Sequence, residues 1–255
     1  MGPVQASTRA VTTAVLATLV AVAGVLGDIS LAGHDGVVLA TLLAALAVLF
    51  ALGWPLVAGL PAPVHSTVVV ALGGVAATAV VLVTSAEPLL GDLPVVFACA
   101  VLLSFVAELA RRDGRERLVE SVTGTVAGTL VPVCAAGWLA AQRTPAGDQV
   151  VVVGAVALAV ASAVTALQMR GWAGAGVTVG AATVTGLAVG AVLGEIGPVS
   201  GLLLGVAVGV LVAAGDVLFD RLRALEHRLA GWSVAVLPVA VTGILVYVVG
   251  RVLVG

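Results

Sequence analysis

Residues 175–217 read AGVTVGAATVTGLAVGAVLGEIGPVSGLLLGVAVGVLVAAGDV, and Glu195 and Asp216 are the only charges in the stretch. Two apolar runs, 175–194 and 199–217, are parted by Glu195, Ile196, Gly197 and Pro198. A hydrocarbon core of roughly 30 Å is crossed by about 20 apolar residues in a helix rising 1.5 Å per residue. Each run is long enough, and the four residues between them are the turn of a membrane hairpin. Gly186, Gly190 and Gly194 recur every four residues in the first run; Gly201, Gly205 and Gly209, followed by Ala213, do so in the second. Residues four apart share a helix face, and a face without side chains lets two backbones approach where lipid removes any hydrophobic drive. The spacing therefore predicts close helix packing, the other use of such a face being a groove for an acyl chain.

The same reading extends outward to the whole chain. Of its 255 residues 61% are apolar and 9% charged, against about 25% charged in soluble domains. Such a composition cannot wet the outside of a water-soluble fold. Apolar runs of spanning length, charged only near an end (Glu108, Glu120, Asp216, Arg251), occur at 10–27, 37–54, 67–85, 93–110, 118–141, 150–169, 175–194, 199–217 and 232–253. The expected fold is an all-α, polytopic membrane bundle of about nine spans in one domain, with a four-span part (1–117, including a polar loop) and a five-span part (118–255). The first run follows Arg9 and lacks a clear small-x-small cleavage site, so it reads as a retained helix.

All eleven basic residues are arginine. With the N-terminus in the cytoplasm, nine of them fall on the cytoplasmic side and two, Arg143 and Arg251, outside. This bias sets orientation under the positive-inside rule, places the C-terminus outside, and locates the chain in the inner (plasma) membrane of a cell. A formal charge of −2 gives no global basic field, which excludes a nucleic-acid partner. Expected partners are membrane lipids, a second copy of the chain or another membrane protein.

Two cytoplasmic connections are polar enough for aqueous chemistry, 108–120 and 216–231. Arg111, Arg112, Arg115 and Arg117 in the first, with Arg221 and Arg223 in the second, are candidates for a lipid headgroup or phosphate, each worth about 1 kcal/mol near an anionic surface. Asp216 and Asp220 lie four apart, on one face of a helix leaving the membrane, and are candidate ligands for a hard divalent cation; the alternative is a solvated helix end. No ionisable side chain lies at the centre of any run, which argues against a proton pump, a voltage sensor or an ion-coupled transporter. Thr78, Ser104, Thr129, Ser162 and Thr183 lie inside, and such hydroxyls ordinarily bond a carbonyl one turn back. Pro132 and Pro238 should kink their spans. Cys99 and Cys134 are small packing residues. His34, His65 and His227 fall on separate loops, so no zinc spacing exists, and no nucleophile elbow, phosphate loop or dinucleotide fingerprint is present.

From about residue 120 onward, a span beginning at Ser121, a glycine-rich pair of spans running into Gly215 and Asp216, a short charged segment and a final span containing Pro238 together resemble the C-terminal part of the phosphatidate cytidylyltransferases, or CDP-diacylglycerol synthases. The resemblance implies a polytopic enzyme that joins CTP to phosphatidic acid with a divalent metal such as magnesium at the cytoplasmic face. This chain departs from the family pattern at several places. Phe219 stands where the family has glutamate, and Arg223 with Ala224 where it has a basic pair. The Gly-His-Gly-Gly stretch with its following Asp-Arg is missing, as is the Ser-Pro-Lys-Lys-Thr segment after span six. Electrostatic stabilisation is usually the largest catalytic contribution, and losing one donor alone costs a hundred- to a thousandfold. The expectation is a family-like bundle with no catalytic residues and no cofactor, acting in phospholipid metabolism as a lipid-binding or partner protein. Two alternatives stay open: a divergent magnesium-dependent transferase using Asp216, Asp220, Arg221 and Arg223, or a transporter of a lipid or uncharged solute.

Overall fold

The structure, a computed structural model, describes residues 3–27, 35–111, 117–169, 171–219 and 228–254. These form helices only: α1 (Pro3–Val25), α2 (Val37–Ala58), α3 (Pro63–Val83), α4 (Leu93–Leu109), α5 (Leu118–Gln142), α6 (Gly147–Thr165), α7 (Gly171–Leu193), α8 (Gly197–Phe219) and α9 (Arg228–Val254). Eight are long and apolar enough to cross a membrane; α4, at 17 residues, is shorter. The expected all-helical, multi-pass architecture is present.

Local chemistry sets the ends. Gly59 takes a left-handed φ of 61° and donates its N–H to the Pro55 carbonyl, closing α2, a conformation cheap only for glycine. Pro63 then opens α3 in the first turn, where a missing N–H costs nothing. Several bounds differ from the apolar runs by four residues or more, two of them at starts that carry an arginine. Helix α1 starts at Pro3 rather than near residue 10, and α9 at Arg228 rather than 232, because a polar first turn is still helical when water or side chains satisfy its N–H groups. Helices α5 and α9 continue through Pro132 and Pro238.

Helices α5 and α9 pair at the centre, with α2 and α3 on one side, α1 and α6 on the other, α4 outside α3 and α5, and α7 and α8 packed together against α6. Small residues bring the central pair together: a Cβ on Gly243 would lie 2.8 Å from the Cys134 carbonyl oxygen and 2.7 Å from the Trp138 ring. Trp138 is fully buried and donates its indole N–H to the Val239 carbonyl at 2.8 Å, beside the break that Pro238 makes in the α9 ladder. Phe50 stacks on Trp54 with ring centroids 5.3 Å apart.

The outer surface is apolar. Trp172 is 94% exposed, Val192 85% and Leu102 65%. A soluble monomer rarely exposes contiguous apolar area of this kind, whereas a lipid-facing wall requires it.

Long-range polar contacts sort into two ends. At one end, Trp54 donates to the Gly124 carbonyl (2.8 Å), Ser66 meets Thr125 (2.7 Å) and Ser233 donates to the Phe50 carbonyl (3.0 Å). At the other, Gln142 donates to the Gly24 carbonyl (3.1 Å), Arg143 to the Leu82 carbonyl (3.1 Å), and Arg251 pairs with Glu87 (2.8 Å). Successive helices therefore run in opposite directions, and the first end collects most of the described arginines.

Candidate functional site

At that arginine-rich end, Asp216 in the last turns of α8 meets a partner from the opposite end of the sequence. The Arg9 Nη2 donates to Asp216 Oδ1 at 2.6 Å across 207 positions. The Arg9 side chain is 9% exposed and the Asp216 side chain 33%, so the pair sits at the rim of the bundle with its arginine inside. Arg9 was outside the expected first span; it lies within α1 because that helix begins earlier. Thr13, one turn further on, donates to the Ala235 carbonyl of α9 at 2.9 Å, next to the ladder that Pro238 interrupts. Together with Ser162 and Thr165 of α6, these groups line a cavity of about 20 Å³.

Among the described residues no three His, Cys, Asp or Glu side chains converge on a metal-sized site. The Asp216 carboxylate, the candidate cation ligand, instead carries the Arg9 guanidinium on one oxygen. A positive group at hydrogen-bond distance repels a divalent ion from the same carboxylate, and Asp216, the one described member of the expected cation cluster, is engaged by an arginine. The volume is also far below the roughly 300 Å³ of the smallest ordinary ligand pockets. Asp220, Arg221 and Arg223, the rest of the expected phosphate and metal cluster, lie outside the described residues.

The second candidate region divides. Arg111 is buried and donates to Glu108 Oε2 at 2.6 Å, while the Ser121 hydroxyl donates to Glu108 Oε1. All three are under 9% exposed. This cluster joins the end of α4 to the start of α5 and turns Arg111 inward, away from any headgroup. Arg117 is different: its side chain is 56% exposed, beside Glu120, at the polar edge of α5. Arg112 and Arg115 lie outside the described residues.

The glycine sites are occupied by helix packing at five of six positions. A Cβ on Gly186 would overlap the Gly201 carbonyl oxygen, and one on Gly201 would overlap that of Gly186. On Gly190 it would lie 2.8 Å from the Gly197 carbonyl oxygen, and on Gly209 2.9 Å from the Val179 Cα; on Gly205 it would strike the Ala182 carbonyl. Backbone against backbone leaves no groove for an acyl chain along this seam. Gly194 is corrected to a turn residue: its φ is 75° and nothing lies within 4 Å of its missing Cβ.

Hydroxyls mostly behave as expected, Thr78, Thr129, Thr183 and Ser104 bonding carbonyls of their own helices. Ser121 and Ser162 do not. Sequence reasoning missed Arg9 and the burial of Glu108. A signal for the first existed: Arg9 is the only charge among residues 1–27 and Asp216 the only one in 196–219, and the start of the first span and the end of the eighth fall on the same side of the membrane in the nine-span reading. No protein-family model, curated protein or solved structure matches the chain, so the cytidylyltransferase resemblance rests on these residues alone.

Proposed function

We propose that this chain is a non-catalytic membrane bundle on a cytidylyltransferase-like scaffold, seated in the plasma membrane with its N-terminus in the cytoplasm. Its arginine-rich end meets anionic lipid headgroups or a membrane partner in phospholipid metabolism. One observation carries the reading: the carboxylate that the resemblance would assign to metal binding, Asp216, is held by Arg9 at 2.6 Å. Support for the orientation comes from the nine-to-two arginine bias and from the sorting of polar contacts into two ends. Exposed Arg117, with Arg112 and Arg115 beside it in the sequence, is the headgroup contact.

Purified protein given CTP, phosphatidic acid and magnesium should form no CDP-diacylglycerol above a protein-free control, with Asp216→Asn no different. Turnover that Asp216→Asn abolishes would overturn the reading. Native mass spectrometry should show bound anionic lipid falling several-fold when Arg112, Arg115 and Arg117 are all replaced by glutamine; unchanged retention removes the headgroup role.

Orientation is tested separately. In a background with Cys99 and Cys134 changed to alanine, Asp113→Cys should react with an impermeant maleimide only after the cytoplasmic side is opened. Pro145→Cys, on the exposed turn after α5, should react in intact cells. The reverse pattern inverts the topology.

A further inference from the structure

Ser162 breaks the rule its neighbours follow. Thr12, Thr18, Thr78, Thr129 and Thr183 each donate to a carbonyl four residues back on their own helix, the ordinary way a helix hides a hydroxyl in an apolar surrounding. Ser162 is 2% exposed and its Oγ has no hydrogen-bond partner among the described residues. A buried hydroxyl in that condition is unfavourable enough that native folds supply a partner. Ser162 lines the cavity together with Arg9, Thr13, Thr165, Asp216 and Pro238.

Size and polarity decide what completes it. The cavity's volume of about 20 Å³ exceeds the roughly 10–15 Å³ needed for one water and falls well short of a second ligand class such as a nucleotide or sugar. Apolar cavities stay dry, but this one is lined by Asp216, Arg9 and three hydroxyl-bearing residues beside Ala10, Val212 and Pro238, and a water needs two to four polar partners. The Thr13 and Thr165 hydroxyls donate elsewhere, to the carbonyls of Ala235 (2.9 Å) and Ser162 (2.8 Å), so each oxygen still accepts. A bare cation would face the Arg9 guanidinium across the same carboxylate; a neutral water meets no such repulsion.

We propose that this cavity is a binding site for a single ordered water, bonded to the Ser162 hydroxyl and to the Arg9–Asp216 pair. The water ties α6 to the ion pair between α1 and α8, beside the proline break inside α9, so three helices share one hydrogen-bonded centre. The site does not depend on whether the protein is catalytic.

Synchrotron hydroxyl-radical footprinting of the detergent-solubilised protein tests it, because a bound water activated in place oxidises side chains beside it however buried they are. Val212 and Pro238, both lining the cavity, should be oxidised in the parent protein. Ser162→Val, which fills the space and removes the hydroxyl, should lower that oxidation at least fivefold, while Ser162→Ala, which leaves room, should keep it within about twofold. Equal labelling in parent and Ser162→Val, or none in the parent, overturns the proposal. Should Ser162→Val not fold, a density map of the parent finer than 2 Å decides. A peak at hydrogen-bond distance from Ser162 Oγ and Asp216 supports the site. A Ser162 hydroxyl turned onto the Leu158 carbonyl beside a dry cavity, or a peak with five or more short oxygen contacts typical of a metal ion, sinks it.

Discussion

Gly186→Leu should destabilise the detergent-solubilised protein by about 3 kcal/mol, the upper end of what forced overpacking costs, with a matching fall in the thermal midpoint. At this position even a methyl group overlaps the carbonyl oxygen of Gly201. A backbone atom cannot rotate aside as a side-chain tip does, so α7 and α8 must separate, and contacts along Gly190, Gly205 and Gly209 are lost with them. The comparison is Gly180→Ala on the same helix, where nothing lies within 4 Å of the added Cβ. Alanine is the better helix former by about 1 kcal/mol, so this variant should be neutral or more stable. Similar midpoints for the two variants would mean that the α7–α8 seam is not a close backbone contact.

Arg111→Met should cost about 3–5 kcal/mol, because removing one partner of a buried pair strands the other charge. Glu108 would keep only the Ser121 hydroxyl in a position 4% exposed. The double variant Arg111→Met with Glu108→Gln should recover most of the loss: the amide oxygen still accepts from Ser121, and a buried pair removed as a unit is often close to neutral. Thermal unfolding of the two single variants and the double gives the coupling directly. If the double variant is as unstable as Arg111→Met, the buried-charge account fails.

What could be read from the sequence was whatever a single helix reveals about itself. Each apolar run falls on a helix among the described residues because hydropathy is a local property, and the four-residue glycine spacing located the faces of α7 and α8 that meet. The run boundaries erred where helix and apolar run differ: Arg9 ended the apolar run but not α1. The pairings were out of reach for another reason. Which of several helix faces meets which is decided by the global fit of the bundle, so the contact of Gly137 with the Gly243 backbone and that of Arg9 with Asp216, 207 positions away, leave no periodic trace. Gly194 shows the converse error, a residue in perfect register that belongs to the turn. For the candidate site, the motif around Asp216 was visible, yet its meaning changed once Arg9 was placed on it.

Helix α4 carries one more implication. Its 17 residues measure about 25 Å at 1.5 Å each, against a hydrocarbon thickness of roughly 30 Å, and it has neighbours on one flank only. If α4 crosses the membrane, lipid bordering its open flank must thin, or polar headgroups must dip inward, at a fraction of a kcal/mol per ångström of mismatch. With α4 as a span, the surrounding bilayer would be lopsided, shallower beside α4 than around the rest of the circumference, and short-chain lipids should gather there.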